Sequence, residues 1–214
     1  MFLLIIKCHA LNFPSSEFML ELFYKGGPIM WPLLVCSLVT LTVVIERIIF
    51  LISERAKRDD PLVSLILGHV ERGDLGAAQS SAEESKDAVV SVLRYALVHR
   101  ESGLTQAVLH ASGGELSKYN RGLTVLDTII TLAPLLGLLG TVTGMIRTFG
   151  LLGGSELDAP SAVTGGIAEA LLATAFGLGI AITALIPFNF LNARLEQIRR
   201  DIESAANQLE LHLK

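Results

Sequence analysis

Long uncharged stretches alternate with charged ones along this chain. Residues 29–45 carry no charge, residues 128–146 form an uncharged run of 19, and residues 170–191 form another of 22. A bilayer core of roughly 30 Å is crossed by about 20 apolar helical residues. The pattern therefore predicts an all-α integral membrane protein with three transmembrane helices and long helical extensions beyond the membrane.

The basic residues near the ends of these runs predict their direction. Arg55, Lys57 and Arg58 follow the first run, Lys118 and Arg121 precede the second, and Arg194, Arg199 and Arg200 follow the third. Basic residues favour the cytoplasmic side of a membrane. The N-terminus and the loop between the second and third spans are therefore expected outside, and the C-terminus inside.

Seven segments follow from the pattern. No cleaved signal peptide is expected, because Lys7 interrupts the first apolar patch and no basic region precedes that patch. The segments are an amphipathic interfacial segment outside (1–27), transmembrane helix 1 (28–52), a cytoplasmic helical domain (53–122), transmembrane helix 2 (123–149), an outer loop (150–162), transmembrane helix 3 (163–191) and a cytoplasmic C-terminal helix (192–214).

The cytoplasmic domain shows helical periodicity and no strand pattern. Two apolar faces are predicted, with Gly73-Asp74 and Glu84-Ser85 as helix junctions and with Ser85 and Asp87 as possible N-terminal caps. A single long helix is predicted from Leu104 to Phe149, interrupted only at Gly113-Gly114. The faces comprise Leu62, Leu65, Ile66 and Val70, and then Val89, Val92, Leu93 and Ala96.

Composition excludes several functions. The chain is 51% hydrophobic and 18% charged, with a mean hydropathy of +0.55, which is too apolar for an average soluble domain. A net charge of −4 does not indicate nucleic-acid binding. Cys8 and Cys36 and the scattered histidines lack metal-ligand spacing, and no catalytic motif appears. We therefore expect no enzyme activity, no metal and no cofactor.

Transmembrane helix 2 carries many small and polar residues for an apolar helix. Gly137, Gly140, Thr141, Gly144 and Thr148 fall within an arc of roughly 100°. Such a face either packs closely against another helix or lines something polar, and a GxxxG pair alone does not decide between them. The packing residues expected on this helix are Pro134, Gly137, Gly140 and Gly144.

Transmembrane helix 3 has a similar small-residue face, and a carboxylate lies beside it. Glu169 is adjacent to that face and Thr174 borders its other side. A charge near the bilayer centre costs at least ~2.5 kcal/mol, so Glu169 should face a bundle interior, a pore or a partner, unless it lies near the outer interface. Thr141, Thr174 and Glu169 are the predicted pathway residues of a shared interior between several copies. The packing residues expected on this helix are Gly166, Ala170, Ala173 and Gly177.

Two further charged sites lie near the ends of spans. Glu46 and Arg47 precede the end of the first apolar run, and a simple helix-end charge pair is favoured over a place in the interface or inside a bundle. Asp127 is expected to be interfacial rather than buried in the membrane.

Two segments carry a family resemblance. They are Ala133 to Val142 (APLLGLLGTV) and Gly166 to Leu178 (GIAEALLATAFGL), supported by Glu46-Arg47 and Gly73-Asp74. With these motifs the chain resembles the MotA/TolQ/ExbB proton-channel family. Three spans with a large cytoplasmic segment are similar to the ExbB/TolQ branch, since the MotA branch has four spans.

The resemblance implies a function. ExbB-like proteins form a homopentamer in the bacterial inner membrane around a dimer of a single-span ExbD- or TolR-like protein. Proton flow then drives motion that energises outer-membrane transport or envelope processes through a TonB- or TolA-like protein. The family's pore-lining threonines fall on Thr141 and Thr174 and its span-3 glutamate on Glu169, whereas the proton-carrying aspartate belongs to the partner.

The chain departs from the family pattern at two positions. Thr143 stands where a tryptophan is common, and Thr183 stands where a proline is frequent. The first departure leaves the subfamily open. The alternative to a proton channel is a non-conducting membrane scaffold that assembles and anchors a partner protein.

Overall fold

The computed structural model describes residues 23–152 and 159–213, and these residues form helices joined by short turns. No strand occurs in those two ranges, and the predicted all-α fold is confirmed. The helices are α1 (Met30–Lys57), α2 (Asp60–Glu71), α3 (Leu75–Ala82), α4 (Ala88–Val98), α5 (Leu104–Asn120), α6 (Leu123–Leu152) and α7 (Ala159–Leu213), with a 3₁₀ turn at Arg100–Ser102.

Three segments are long and apolar enough to cross a membrane. They are Met30–Lys57, Leu123–Gly150 and Thr164–Leu213. The described part of the chain is thus that of a membrane protein with three candidate spans. Most of the predicted N-terminal interfacial segment, residues 1–22, and part of the predicted outer loop, residues 153–158, lie outside the described residues.

The described residues divide into two compact units. The first comprises residues 23–40, 128–152 and 159–184, and the second comprises Leu41–Asp127 and residues 185–213. Within the first unit, α1 buries Met30, Leu33, Cys36 and Thr40, which recur at the spacing of one helical face. The Thr40 hydroxyl donates to the Cys36 carbonyl at 2.8 Å, so its polar group is satisfied within the helix.

The second unit has an apolar core. Helices α2, α3 and α4 pack there with the C-terminal end of α7, which contributes Ile202, Ala205 and Leu209. The predicted face of α4 is buried throughout, but in α2 the side chain of Leu65 is 47% exposed. Leu65 precedes the buried Ile66 by one position, which places it about 100° away around the helix, outside the buried face.

Aspartates begin three of these helices. Asp59 accepts from the Leu62 amide at 3.0 Å, and Asp74 accepts from the Ala77 amide at 2.9 Å. Asp87 accepts from the Val89 and Val90 amides. The predicted junction at Gly73-Asp74 and the predicted cap at Asp87 are confirmed, because each side chain satisfies amides that lack a partner in the first helical turn.

Asp87 also joins two other parts of the second unit. Its side chain is fully buried, and its Oδ2 accepts from the Asp59 amide at 2.8 Å and lies 3.7 Å from Nε of Arg58. Arg58 in turn reaches Asp201 of α7 at 3.1 Å. One carboxylate therefore caps α4 and fixes the chain entering α2.

The expected long helix from Leu104 to Phe149 is wrong in its break point. Gly113 and Gly114 lie inside continuous α5, whereas the chain breaks between α5 and α6, where Gly122 has φ +82°. That left-handed conformation suits glycine, because other residues place Cβ against the following carbonyl. Gly113 and Gly114, by contrast, remain inside α5, because a helix accommodates glycine at a modest cost in stability.

Arg47 packs against this break. Its side chain is 3% exposed, its Nη1 donates to the Lys118 carbonyl at 2.9 Å, and its guanidinium lies 4.7 Å from the centre of the Phe50 ring. The predicted simple helix-end charge pair with Glu46 exists at 2.7 Å but is incomplete as an interpretation. Nη2 of Arg47 pairs with Glu46, while its Nη1 binds the last turn of α5, where the helix dipole favours a cation.

Tyr119 lies beside Phe50, the aromatic neighbour of Arg47, in the second unit. Its ring meets Phe50 edge to face with 5.3 Å between centres, and its hydroxyl donates to Glu54 at 3.3 Å. Burial, and then the charge of Glu54, raise the pKa of Tyr119 above its ordinary value. Tyr119 therefore remains a neutral donor that links α5 to α1.

Gly122→Ala is expected to cost more stability than the matched change Gly73→Ala. Both glycines have positive φ, so each alanine should cost about 1–2 kcal/mol in backbone strain. A methyl group at Gly122 would additionally lie 3.1 Å from Val43 and 3.3 Å from Arg47, whereas Gly73 has no atom within 4 Å. Overpacking should add about 1 kcal/mol at Gly122. Urea unfolding of the two variants would measure the difference, and equal losses would show that Arg47 yields freely.

Candidate functional site

Helices α6 and α7 pack as an antiparallel hairpin in the first unit, through small residues on both sides. The contacts run in opposite directions along the two helices: Gly144 faces Ala170, Gly140 faces Ala173, and Gly137 faces Thr174. Further along, Gly177 faces Ala133. Five predicted packing residues besides Gly137 thus lie at this contact: Gly140, Gly144, Ala170, Ala173 and Gly177. Of the other two, Gly166 lies against Thr148, and Pro134 is half-buried within α6.

The two backbones approach so closely that several positions exclude a side chain. A methyl group at Gly137 would lie 2.9 Å from the Thr174 Cα, and one at Gly177 would lie 2.5 Å from the Ala133 carbonyl oxygen. Both neighbours are backbone atoms, which cannot rotate aside as a side chain could. These glycines therefore set the distance between the helices, as expected where small residues allow close packing in membranes.

The two predicted pathway threonines are placed differently. Thr174 donates across the hairpin to the Gly137 carbonyl at 3.0 Å, whereas Thr141 donates to Leu138 of its own helix at 2.7 Å. Because Thr174 faces Gly137, Thr141 lies about 6 Å further along the helix axis, or roughly one turn. The two hydroxyls are thus neighbours along one hairpin, and each retains lone pairs that can accept a hydrogen bond.

Glu169, the predicted span-3 acid, lies at the end of the hairpin next to the described part of α6's last turns. Its Oε1 accepts from Arg147 Nη1 at 3.2 Å, and its side chain is 23% exposed while that of Arg147 is 59% exposed. The carboxylate also lies against Gly27, where any added Cβ would collide with it. Glu169 thus contacts both α6 and the chain entering α1. On α7 it precedes Thr174 by more than one helical turn.

The sequence interpretation missed two residues of this site. Arg147 and Gly27 had no assigned role, whereas Thr148, which is buried and donates its hydroxyl to Gly144, was placed on the small-residue face of transmembrane helix 2. The available signal was Arg147: in a short antiparallel hairpin, a base near the end of one span meets an acid near the start of the next. Gly27 could not be found this way, because its contact depends on how the chain enters α1.

Away from the hairpin contact, the spans present large apolar side chains to their surroundings. Such exposed surfaces are stable in lipid or against further helices. They are far larger than the isolated exposed apolar side chains that soluble proteins carry. They include Leu135, Leu138, Val142 and Ile146 on α6, and Leu171, Leu178, Ile182 and Ile186 on α7.

No metal centre is present in residues 23–152 and 159–213, where no group of three or more His, Cys, Asp or Glu side chains could hold an ion. His99 stacks on the Tyr95 ring with 4.1 Å between centres, and Tyr95 lies 5.5 Å from the His110 ring. Among the described residues of the contact between α6 and α7, the chemistry available is that of hydroxyls, the Glu169 carboxylate and the Arg147 guanidinium.

Comparison with known proteins assigns this arrangement to a family. The family model described as the MotA/TolQ/ExbB proton channel family matches residues 82–204, which is more than half of the chain. The chain belongs to the MotA/TolQ/ExbB proton channel family. The match takes in both helices of the hairpin, and the resemblance carried by the two glycine-rich segments is confirmed.

Individual relatives agree with the family. The putative biopolymer transport protein ExbB-like 1 of Synechocystis sp. is 37% identical over 201 residues, covering 90% of this chain and 78% of that protein. The biopolymer transport protein ExbB of Neisseria gonorrhoeae is 38% identical over 98 residues, which is 46% of this chain and 44% of that protein. The Tol-Pal system protein TolQ of Haemophilus influenzae is 36% identical over 99 residues, 46% of this chain and 43% of that protein. The MotA/TolQ/ExbB family consists of channel and transport subunits.

Proposed function

We propose that this chain is the proton-channel subunit of an inner-membrane motor driven by the proton motive force. The observation that carries the proposal is the hairpin of the MotA/TolQ/ExbB family member, in which Thr141, Thr174 and Glu169 lie on neighbouring turns of two closely packed spans. Hydroxyls on successive turns can hold a file of water molecules. They cannot exchange protons near neutral pH, so an acid must complete the pathway.

The pathway requires several copies of the chain. One hairpin packs its small residues closely against each other and leaves no room between its helices, so a pore must form between chains. The large apolar faces on α6 and α7 offer surface for such assembly. We propose a homopentamer around the spans of an ExbD/TolR-like dimer, in which Thr141 and Thr174 border the shared interior.

The partner supplies the remaining parts of the motor. An ExbD/TolR-like single-span protein would provide the proton-carrying aspartate, and a TonB/TolA-like protein would transmit the motion to the outer membrane. Names such as biopolymer transport protein among the relatives support a transport task. The charge pattern supports a periplasmic N-terminus and a cytoplasmic C-terminus in the bacterial inner membrane.

Thr141→Val and Thr174→Val are expected to reduce proton flux by about tenfold or more. Each replaces a hydroxyl with a methyl group of similar volume, so one hydrogen-bonding site in the water file is lost, and at Thr174 the bond to the Gly137 carbonyl is lost as well. Flux would be measured with a pH-sensitive dye in liposomes that contain the chain and its co-encoded partner. Thr143→Val and Thr183→Val are matched controls, because both hydroxyls bond their own helix and neither residue lies on the small-residue face of its span. Equal effects of all four variants would contradict a pathway role.

A non-conducting scaffold is the second candidate, and two contacts favour it. The Thr174 hydroxyl holds two helices together, and Glu169 is engaged by Arg147. In a scaffold both groups serve assembly alone. Liposomes that hold the intact complex and show no flux under an imposed proton gradient would support the scaffold against the channel.

A further inference from the structure

Glu169 has two neighbours that a freely titrating proton carrier does not need. Arg147 reaches it from α6 at 3.2 Å, and the backbone at Gly27 leaves no space for a Cβ beside the carboxylate. Gly27 has φ +74°, and its carbonyl accepts from the Met30 amide that begins α1. Glu169 thus connects three chain segments of the first unit: the turn before α1, the end of α6 and α7.

Protonation of Glu169 would break this connection. A neutral carboxyl group loses its charge-assisted bond to the guanidinium, and Arg147 is left without that counter-ion in a segment apolar enough to cross a membrane. The negative charge also suits the turn before α1, because the first turn of a helix attracts anions. Loss of the negative charge at Glu169 would therefore remove the ion pair between α6 and α7 beside the turn at Gly27.

We infer that Arg147 and Glu169 form a fixed ion pair, in which Glu169 is a positioning residue and not the acid that carries the proton. The pair joins the ends of α6 and α7 beside the turn at Gly27, and Arg147 is a functional residue of this chain. The inference rests on the proposed proton-channel function and adds to it a positioning role for Arg147 and Glu169.

A double-mutant cycle in the intact complex separates a fixed pair from a proton carrier. Arg147→Gln and Glu169→Gln each leave one charge without its partner, whereas the double variant leaves neither and lets two amides hydrogen-bond. We expect each single variant to lower proton flux in liposomes by about tenfold or more, and the double variant to recover to within about threefold of the unmodified complex. Arg147→Lys should lie between these results, because lysine keeps the charge without the planar fork.

The opposite pattern would overturn the inference. If Glu169 carries the proton, Glu169→Gln and the double variant are equally inactive, since a glutamine cannot titrate, and Arg147→Gln alone has little effect. Additive losses in all variants also contradict a pair. The thermal stability of the complex provides a readout independent of flux: coupling between the two positions supports the pair even if the unmodified complex conducts no protons, and only the proposed channel function then fails.

Discussion

Gly177→Ala is expected to separate the two helices of the hairpin and to cost about 1–3 kcal/mol of stability. The added methyl group would lie 2.5 Å from the Ala133 carbonyl oxygen and 3.2 Å from the Gly137 Cα, and both are backbone atoms. The hairpin can accept it only if α6 moves away from α7. That movement would also lengthen the neighbouring bond from Thr174 to the Gly137 carbonyl, so proton flux should fall with stability.

Gly179→Ala is the matched control on the same helix. Its position has no atom within 4 Å of an added Cβ, and alanine favours a helix over glycine by about 1 kcal/mol. The two substitutions should therefore change the melting temperature of the detergent-solubilised complex in opposite directions. A Gly177→Ala variant that melts like the unmodified chain would show that the close approach of the two backbones is not required.

Asp87→Ala is expected to be the most disruptive single change in the second unit, at about 2–4 kcal/mol. The loss combines a helix cap, worth about 0.5–2 kcal/mol, with a charged acceptor for the Asp59 amide. It also removes a buried negative charge 3.7 Å from Arg58. Urea unfolding measures the total, and faster hydrogen exchange at the Val89 and Val90 amides would localise it.

Asp74→Ala tests whether the effect of Asp87 is more than capping. Asp74 begins α3 in the same way, but its exposed side chain accepts only the Ala77 amide among the bonds described for it. Its loss should cost about 1 kcal/mol, as for an ordinary cap. Similar losses for both aspartates would mean that the contacts of Asp87 with Asp59 and Arg58 contribute little.

The sequence predicts the faces of the helices better than their partners. Spacing along α6 and α7 places Gly140 and Ala173 on small-residue faces, because that information is local and periodic. The register of the two helices determines which glycine meets which alanine. It is set by complementary shape across the hairpin, which the spacing along one helix does not reveal. For this reason Thr174 was expected to face a shared interior, and its bond to the Gly137 carbonyl was not anticipated.

Glycines illustrate the same limit. Gly113, Gly114 and Gly122 all permit a break between helices, and nothing local separates them. The break occurs at Gly122, where Arg47 and Val43 lie close enough to require the missing side chain. Likewise, the cap at Asp87 could be predicted from the residues that follow it, whereas its bond to the Asp59 amide spans 28 positions and depends on how α2 meets α4.

The pair of Arg147 and Glu169 has a consequence for biosynthesis. Each residue lies in a segment that must leave the translocon for lipid, and each charge alone opposes that step, by up to about 2.5–3.5 kcal/mol at the centre of a helix and by less near its end. A preformed hairpin presents them as a neutral pair. The two segments are therefore expected to form the hairpin first and then to enter the lipid together.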